Sequence, residues 1–152
     1  MGTTFVSIDK THGFWMEDGK LEVWLRLLAL HIPEPSDHDS IEYRNESYEI
    51  RNQWLLASKG YFGGWVPHAL EDFFLLPHGR EIITLAMLSL RGEINHMTSP
   101  FTLEIMSLIG GEHGGTTVTK EQLIDIDDGW NDLIAEKIIA TASSTARMPG
   151  SH

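Results

Sequence analysis

The chain of 152 residues contains no cysteine. It therefore carries no disulfide and no thiol chemistry, and cysteine usage says nothing about its redox compartment. A domain of this size buries about two-thirds of the surface that its unfolded chain exposes. Neither a disulfide nor a metal is needed to hold such a domain together.

Positive charge is scarce. The chain has 22 Asp and Glu against 11 Lys and Arg, a formal net charge of -11. A field of this sign repels phosphates, so nucleic acids and anionic membranes are disfavoured as partners and cationic partners are favoured. The competing interpretation is that net negative charge only keeps a soluble protein dispersed.

Long apolar runs are also absent. The longest charge-free apolar stretch, from Ile82 to Leu90, is much shorter than the ~20 residues that span a bilayer. The N-terminal segment MGTTFVSIDK lacks the basic region and apolar run of a signal peptide. We therefore expect no membrane span, no secretory signal and a cytoplasmic location.

Most of the chain has the apolar periodicity of α-helices. Pro33 and Pro35 end the first predicted helix, and Thr119 and Gln122 have capping-box spacing at the start of the last. The segment 80–92, apolar on nearly every side, is predicted to be the buried central helix. The predicted helices cover residues 21–31, 39–58, 67–76, 80–92 and a final stretch after Thr119, whereas 100–109 fits either a helix or a strand.

These elements predict a mainly α-helical fold, an orthogonal bundle of five or six helices. The pattern also allows a small N-terminal β-hairpin, in which Phe5, Val6 and Ile8 pair with the segment 14–16. We expect one helical domain over residues 1–140 and a mobile tail over 141–152.

Acidic side chains recur at steps of three and four on two predicted helices. Like charges at this spacing destabilise an isolated helix by roughly 0.2–0.5 kcal/mol per pair, a cost with no evident structural return. The functional interpretation is a surface that neutralises Lys and Arg on a partner, and the alternative is a solvated acidic face. The first set, on the predicted helix 39–58 and named the α2 ridge, comprises Asp39, Glu42, Glu46 and Glu49. The second set, on the predicted helix after Thr119 and named the α5 ridge, comprises Glu121, Asp125, Asp128, Asp132 and Glu136.

Other chemistry has less support in the sequence. Glu93 and His96 have the Glu-x-x-His spacing of di-iron bundles, but the motif occurs once and such bundles use two copies. No catalytic constellation is found, and no cofactor is predicted. Trp65, in the segment YFGGW, is either a core residue, the more frequent role, or an exposed interface anchor.

Two stretches, LEVWLRLLALHI and RNQWLLASKGYFGGWVPHALEDF, resemble segments of small uncharacterised bacterial proteins. In its size, acidity and lack of cysteine the chain is similar in character to immunity proteins that neutralise polymorphic toxins. This resemblance implies a basic toxin as the partner.

Three functional hypotheses follow. The first is an acidic protein-binding module, an inhibitor or immunity-type protein that neutralises a basic toxin or enzyme. The second is a metal-binding helical-bundle protein or enzyme that uses Glu93 and His96. The third is an adaptor or homo-oligomeric scaffold that associates through Trp65 and neighbouring apolar surface.

Overall fold

The computed structural model describes residues 2–60, 65–97 and 118–140. The predicted mainly helical fold with an N-terminal hairpin is confirmed. The ambiguous segment 100–109 and the predicted tail 141–152 lie outside the described residues. Within the described ranges the elements are β1 (Thr3–Ser7), β2 (Gly13–Glu17), α1 (Asp18–His31), α2 (Ile41–Ala57), α3 (Leu70–Leu75), α4 (Gly79–His96) and α5 (Lys120–Ile134).

The hairpin has one buried and one half-exposed face. β1 and β2 are antiparallel, with Val6 opposite Phe14 and Phe5 opposite Trp15. Val6 and Phe14 are completely buried, whereas the rings of Phe5 and Trp15 meet edge-to-face at 5.3 Å on the other side. This alternation is the period of two expected when one face of a sheet covers a core.

Helix α1 is more completely buried than α4. Nine of its 14 residues are buried, against seven of 18 in α4. It packs against β2, α2 and α4, and Trp24 meets Trp130 of α5 edge-to-face at 5.9 Å. The predicted burial of 80–92 on all sides is wrong because apolar residues such as Leu88, 66% exposed, face outward, although α4 does contact α1, α2, α3 and α5. None of the described helices is long and apolar enough to cross a membrane.

Helix α3 is shorter than the sequence predicts. It begins at Leu70 instead of Pro67, because the Leu70 amide donates to Nδ1 of His68 at 3.0 Å and Ala69 adopts a left-handed φ of 53°. Gly79, which follows the predicted helix 67–76, is the first residue of α4. A tertiary contact explains the glycine, since a β-carbon there would lie 1.8 Å from the carbonyl oxygen of Phe73.

Helix α5 has the predicted start and an unexpected end. Thr119 and Gln122 form the reciprocal capping box. After Ile134 the amide of Glu136 donates to the Leu133 carbonyl and that of Lys137 to the Asp132 carbonyl, both at 2.9 Å. This is the hydrogen-bond pattern of a Schellman motif, with Glu136 in the left-handed position (φ 61°) that glycine usually occupies.

Candidate partner-binding groove

A concave groove of about 600 Å³ lies between α2, the segment 65–69 and α3. Four α2 residues at helical spacing form one wall, so that they share one side of the helix. The groove combines carboxylates, side-chain amides and apolar surface. It is lined by Glu49, Asn52, Gln53, Leu56, Trp65, Pro67, Ala69, Asp72 and Phe73.

The backbone of the segment 65–69 is anchored on two sides. From α2, Nε2 of Gln53 donates to the Pro67 carbonyl at 2.9 Å, and Nε1 of Trp54 donates to the His68 carbonyl at 2.8 Å. From the hairpin, Oγ1 of Thr4 accepts from the Val66 amide at 2.8 Å. These bonds hold one groove wall in a defined position before any partner arrives.

His68 lies under this segment and connects it to the hairpin. Because its Nδ1 accepts from the Leu70 amide, the proton resides on Nε2, which donates to the Phe5 carbonyl at 3.0 Å. The side chain is buried, and burial lowers its pKa below the usual 6.5, although the Phe5 carbonyl and the nearby Glu71 and Asp72 act in the opposite direction. His68 is therefore a neutral structural histidine at pH 7.

Trp65 is exposed rather than buried in the core. Its exposed fraction is 67%, and Leu56 across the groove is 47% exposed. Trp65 also lines a smaller neighbouring groove of about 390 Å³, in which Oγ of Ser7 donates to Glu71 at 2.7 Å. The sequence allows Trp65 to be either a core residue or an exposed residue, and in the structure it lies on the surface.

The groove carries negative charge that no Lys or Arg of the described residues neutralises. Glu49 and Asp72 line it, and no Lys or Arg in the described ranges lines it or forms an ion pair with either carboxylate. Glu49 belongs to the α2 ridge, so the fold brings together two sequence-predicted site residues, Glu49 and Trp65. Sequence reasoning missed Asp72, since it lies on a different element and has no periodic acidic neighbours.

The other members of the α2 ridge have different environments. Asp39 accepts from the Ser36 amide at 2.8 Å, and exposed Glu42 lies 3.8 Å from Nε2 of His78. Glu46 is only 5% exposed and accepts from the His78 amide at 3.0 Å. Exposed carboxylates of this ridge are therefore interrupted by a buried one that contacts the start of α4.

The α5 ridge is partly neutralised by the chain itself. Asp128 accepts from Arg91 at 3.1 Å, and Asp132 lies 3.9 Å from Nζ of Lys137. Glu121 and Asp125 are exposed on the helix, whereas Glu136 is exposed beyond its end. Within the described residues, Arg91 and Lys137 therefore neutralise part of this ridge.

A buried carboxylate beside this ridge was missed at the sequence level. Asp127, 3% exposed, accepts from Arg91 at 2.9 Å and from Nδ2 of Asn131 at 3.2 Å. Burial raises its pKa, against the opposing effect of the Arg91 guanidinium. The available signal was its spacing from Leu123 and Trp130, which places it on the apolar side of α5.

The two ridges contact opposite ends of α4. Glu46 of the α2 ridge binds the His78 amide at the N-cap of α4, whereas Asp128 of the α5 ridge binds Arg91. His78 and Arg91 are thirteen positions apart in the sequence, which corresponds to about 20 Å along a helix axis at ~1.5 Å per residue. Among the predicted site residues, it is Glu49 and Trp65 that share a groove.

Glu93, one member of the Glu-x-x-His motif, contacts a different histidine. Glu93 binds Nε2 of His31 at 2.5 Å, and Nδ1 of His31 contacts Oγ of Ser89 at 2.9 Å. Over 2–60, 65–97 and 118–140, no three His, Asp or Glu side chains are grouped so that they could hold a metal ion. These contacts give Glu93 a structural role between α1 and α4.

No protein-family model, curated protein or solved structure matches the chain. A function for this protein must therefore be inferred from the contacts, charges and shape of the residues in the chain.

Proposed function

We propose that this protein is an acidic protein-binding module, an inhibitor or immunity-type protein that covers a basic surface of a cytoplasmic partner such as a toxin. The observation that carries the proposal is the groove in which Glu49 and Asp72 lie beside exposed Trp65 without a neutralising cation from the described residues.

The two components of the groove have complementary roles in binding. An exposed tryptophan on a fixed backbone supplies a large apolar contact, the type of residue enriched at binding hot spots. The carboxylates select positive charge, and a net charge of -11 accelerates the encounter with a basic partner. Affinity would come mainly from the groove, and the association rate from the field of the whole molecule.

The groove chemistry favours a foreign partner over a second copy of the chain. A homo-oligomeric contact through Trp65 would bring Glu49 and Asp72 against another molecule of net charge -11. Like charges at an interface are costly unless cations lie between them. Sedimentation that shows a monomer at all concentrations would agree with this preference.

Co-purification with the product of the neighbouring gene tests the proposal. We compare Glu49→Lys/Asp72→Lys with a matched control on α5, Asp125→Lys/Glu136→Lys, because both pairs change the net charge equally. The groove pair should weaken the complex at least tenfold at physiological salt, while the control mainly slows association.

Two results would contradict the groove as the binding surface. If both pairs weaken the complex equally, only the overall field matters, and if neither does, the interface lies elsewhere. A partner that is not basic, or the absence of any complex, would remove the inhibitor proposal itself.

A further inference from the structure

We propose that the groove binds one arginine side chain of the basic partner, with the guanidinium stacked on Trp65 and paired with Glu49 and Asp72. This inference rests on the proposed function and specifies the side chain that is recognised. It is carried by the composition of the groove walls, which place an exposed indole, two carboxylates and apolar side chains around one cavity of about 600 Å³.

The polar lining suits a group that only donates hydrogen bonds. A guanidinium has five N–H donors and no acceptor. Glu49 and Asp72 are hydrogen-bond acceptors. Nε2 of Gln53 donates to the Pro67 carbonyl, and the amide oxygen of Gln53 is a further acceptor. The groove therefore offers acceptors from two helices to a single planar cation.

The apolar lining suits the stem of the same side chain. Arginine packs its methylene groups along apolar surface while its charged end keeps polar partners. Leu56 and Phe73, which line the same groove as Trp65, supply that surface. Lysine offers a similar stem, but its ammonium is a compact, strongly hydrated charge that neither stacks as a plane nor pairs in a fork with a carboxylate.

Among the described residues, Trp65 differs from two other aromatic side chains, each of which has an arginine over its ring. Arg51 lies over Tyr48 at 5.9 Å, and Arg80 lies over Phe74 at 4.7 Å. Within the described residues no such pair forms at Trp65, the most exposed of the described tryptophans. An arginine from a partner would complete the same arrangement at a wall that is already fixed in place.

Titration of the full chain with three short capped peptides tests this site. The peptides are acetyl-Gly-Arg-Arg-Gly-amide, its lysine counterpart and its citrulline counterpart, which keeps the shape of arginine without the charge. Binding is followed through the indole N–H resonance of Trp65, assigned with Trp65→Phe. The arginine peptide should shift this resonance and bind about two- to fivefold more tightly than the lysine peptide, with citrulline weakest.

Matched variants locate the site. Glu49→Gln and Trp65→Leu should each reduce binding of the arginine peptide severalfold, whereas Asp125→Asn on α5 should leave it nearly unchanged. Because all three positions are exposed, the variants retain the fold, and the remaining indole resonances verify this.

Equal affinity for arginine and lysine, unchanged binding by Trp65→Leu, or no shift of the Trp65 resonance with any peptide would each overturn the arginine site. These failures differ from failure of the proposed function. A chain that still retains its basic partner, and loses it on reversal of Glu49 and Asp72, remains an inhibitor that recognises charge without arginine selectivity.

Discussion

The groove and the α5 ridge are two acidic regions that differ in how the chain treats their charge. On α5, Arg91 binds Asp127 and Asp128, and Lys137 lies near Asp132. In the groove, Glu49 and Asp72 have no ion pair with a described Lys or Arg. The two acidic regions therefore differ, because part of the α5 ridge is neutralised by the chain itself, whereas the groove carboxylates form no ion pair with a described cation.

The comparison also separates two uses of charge. Where a carboxylate is buried, as at Asp127, its partner must come from the same chain, since an uncompensated buried charge is costly. Where it is exposed, as at Glu49, water solvates the charge. Which carboxylates of the described surface form ion pairs therefore depends more on where the few Lys and Arg side chains lie than on where the many Asp and Glu side chains lie.

The largest effect is expected from Gly79→Ala, which acts on the groove side. The new β-carbon would lie 1.8 Å from the Phe73 carbonyl oxygen, so that α3 and α4 must separate. Overpacking of this kind should lower the free energy of unfolding by about 3 kcal/mol. Urea denaturation measures this, with Gly92→Ala as the control, because a β-carbon there meets nothing within 4 Å. Equal stability of the two variants would contradict the close contact at Gly79.

Arg91→Met tests the internally paired region. It leaves Asp127 buried without its cation, which should cost about 2 kcal/mol at pH 7, below the range for a fully buried pair because Arg91 is partly exposed. Burial already raises the pKa of Asp127, and loss of Arg91 raises it further.

The sign of the pH dependence follows from this shift. The loss of stability caused by Arg91→Met is present above the raised pKa of Asp127 in the folded state. It disappears below the unfolded-state pKa of 3.8, where the carboxyl is protonated in both states. The difference in stability between Arg91→Met and the unchanged chain should therefore shrink in acid. The double variant Arg91→Met/Asp127→Leu should recover stability, and its failure to do so would contradict the buried pair.

His68 makes the groove side sensitive to acid. Burial lowers its pKa below the unfolded value of 6.5, so its contribution is present above pH 6.5 and is lost as the pH falls toward the folded-state pKa. The slope should be about 1 kcal/mol per pH unit. Urea denaturation from pH 7 to pH 5 should show a smaller slope for His68→Asn than for the control His38→Asn, and identical slopes would be incompatible with a neutral buried His68.

The smallest expected effect concerns the left-handed residue in each region. Ala69 borders the groove with φ 53°, and Glu136 ends α5 with φ 61°. Glycine relieves this strain but has more unfolded-state entropy to lose, so Ala69→Gly and Glu136→Gly should each stabilise by about 0.5 kcal/mol. Thermal unfolding measures both, with Glu136→Ala as the neutral control, and destabilisation by either glycine would contradict the conformation at that position.

Local features of the fold could be predicted from the sequence because their causes are local. Thr119 and Gln122 form the predicted capping box, and the prolines after α1 end that helix near His31. The start of α3 could not be predicted, since it depends on His68, whose ring is held by the distant carbonyl of Phe5.

The candidate site was predictable only in part. Glu49 and Trp65 were recognisable as candidates, one from acidic periodicity and the other from its residue type. Their shared groove depends on hydrogen bonds that hold the segment 65–69. Gln53 and Trp54 each bind a residue 14 positions away in the chain, and Thr4 binds one 62 positions away. Periodicity within one helix carries no information about such pairs.

By itself the sequence determined the mainly helical class, the hairpin, the caps and the excess of negative charge, since each depends on neighbouring residues or on composition. Only the tertiary structure decided that Trp65 is exposed, that Glu46 and Asp127 are buried, and that Glu49 and Asp72 form no ion pair with a described Lys or Arg. The reason is physical: the cost or availability of a charge depends on burial and on which groups packing brings within reach.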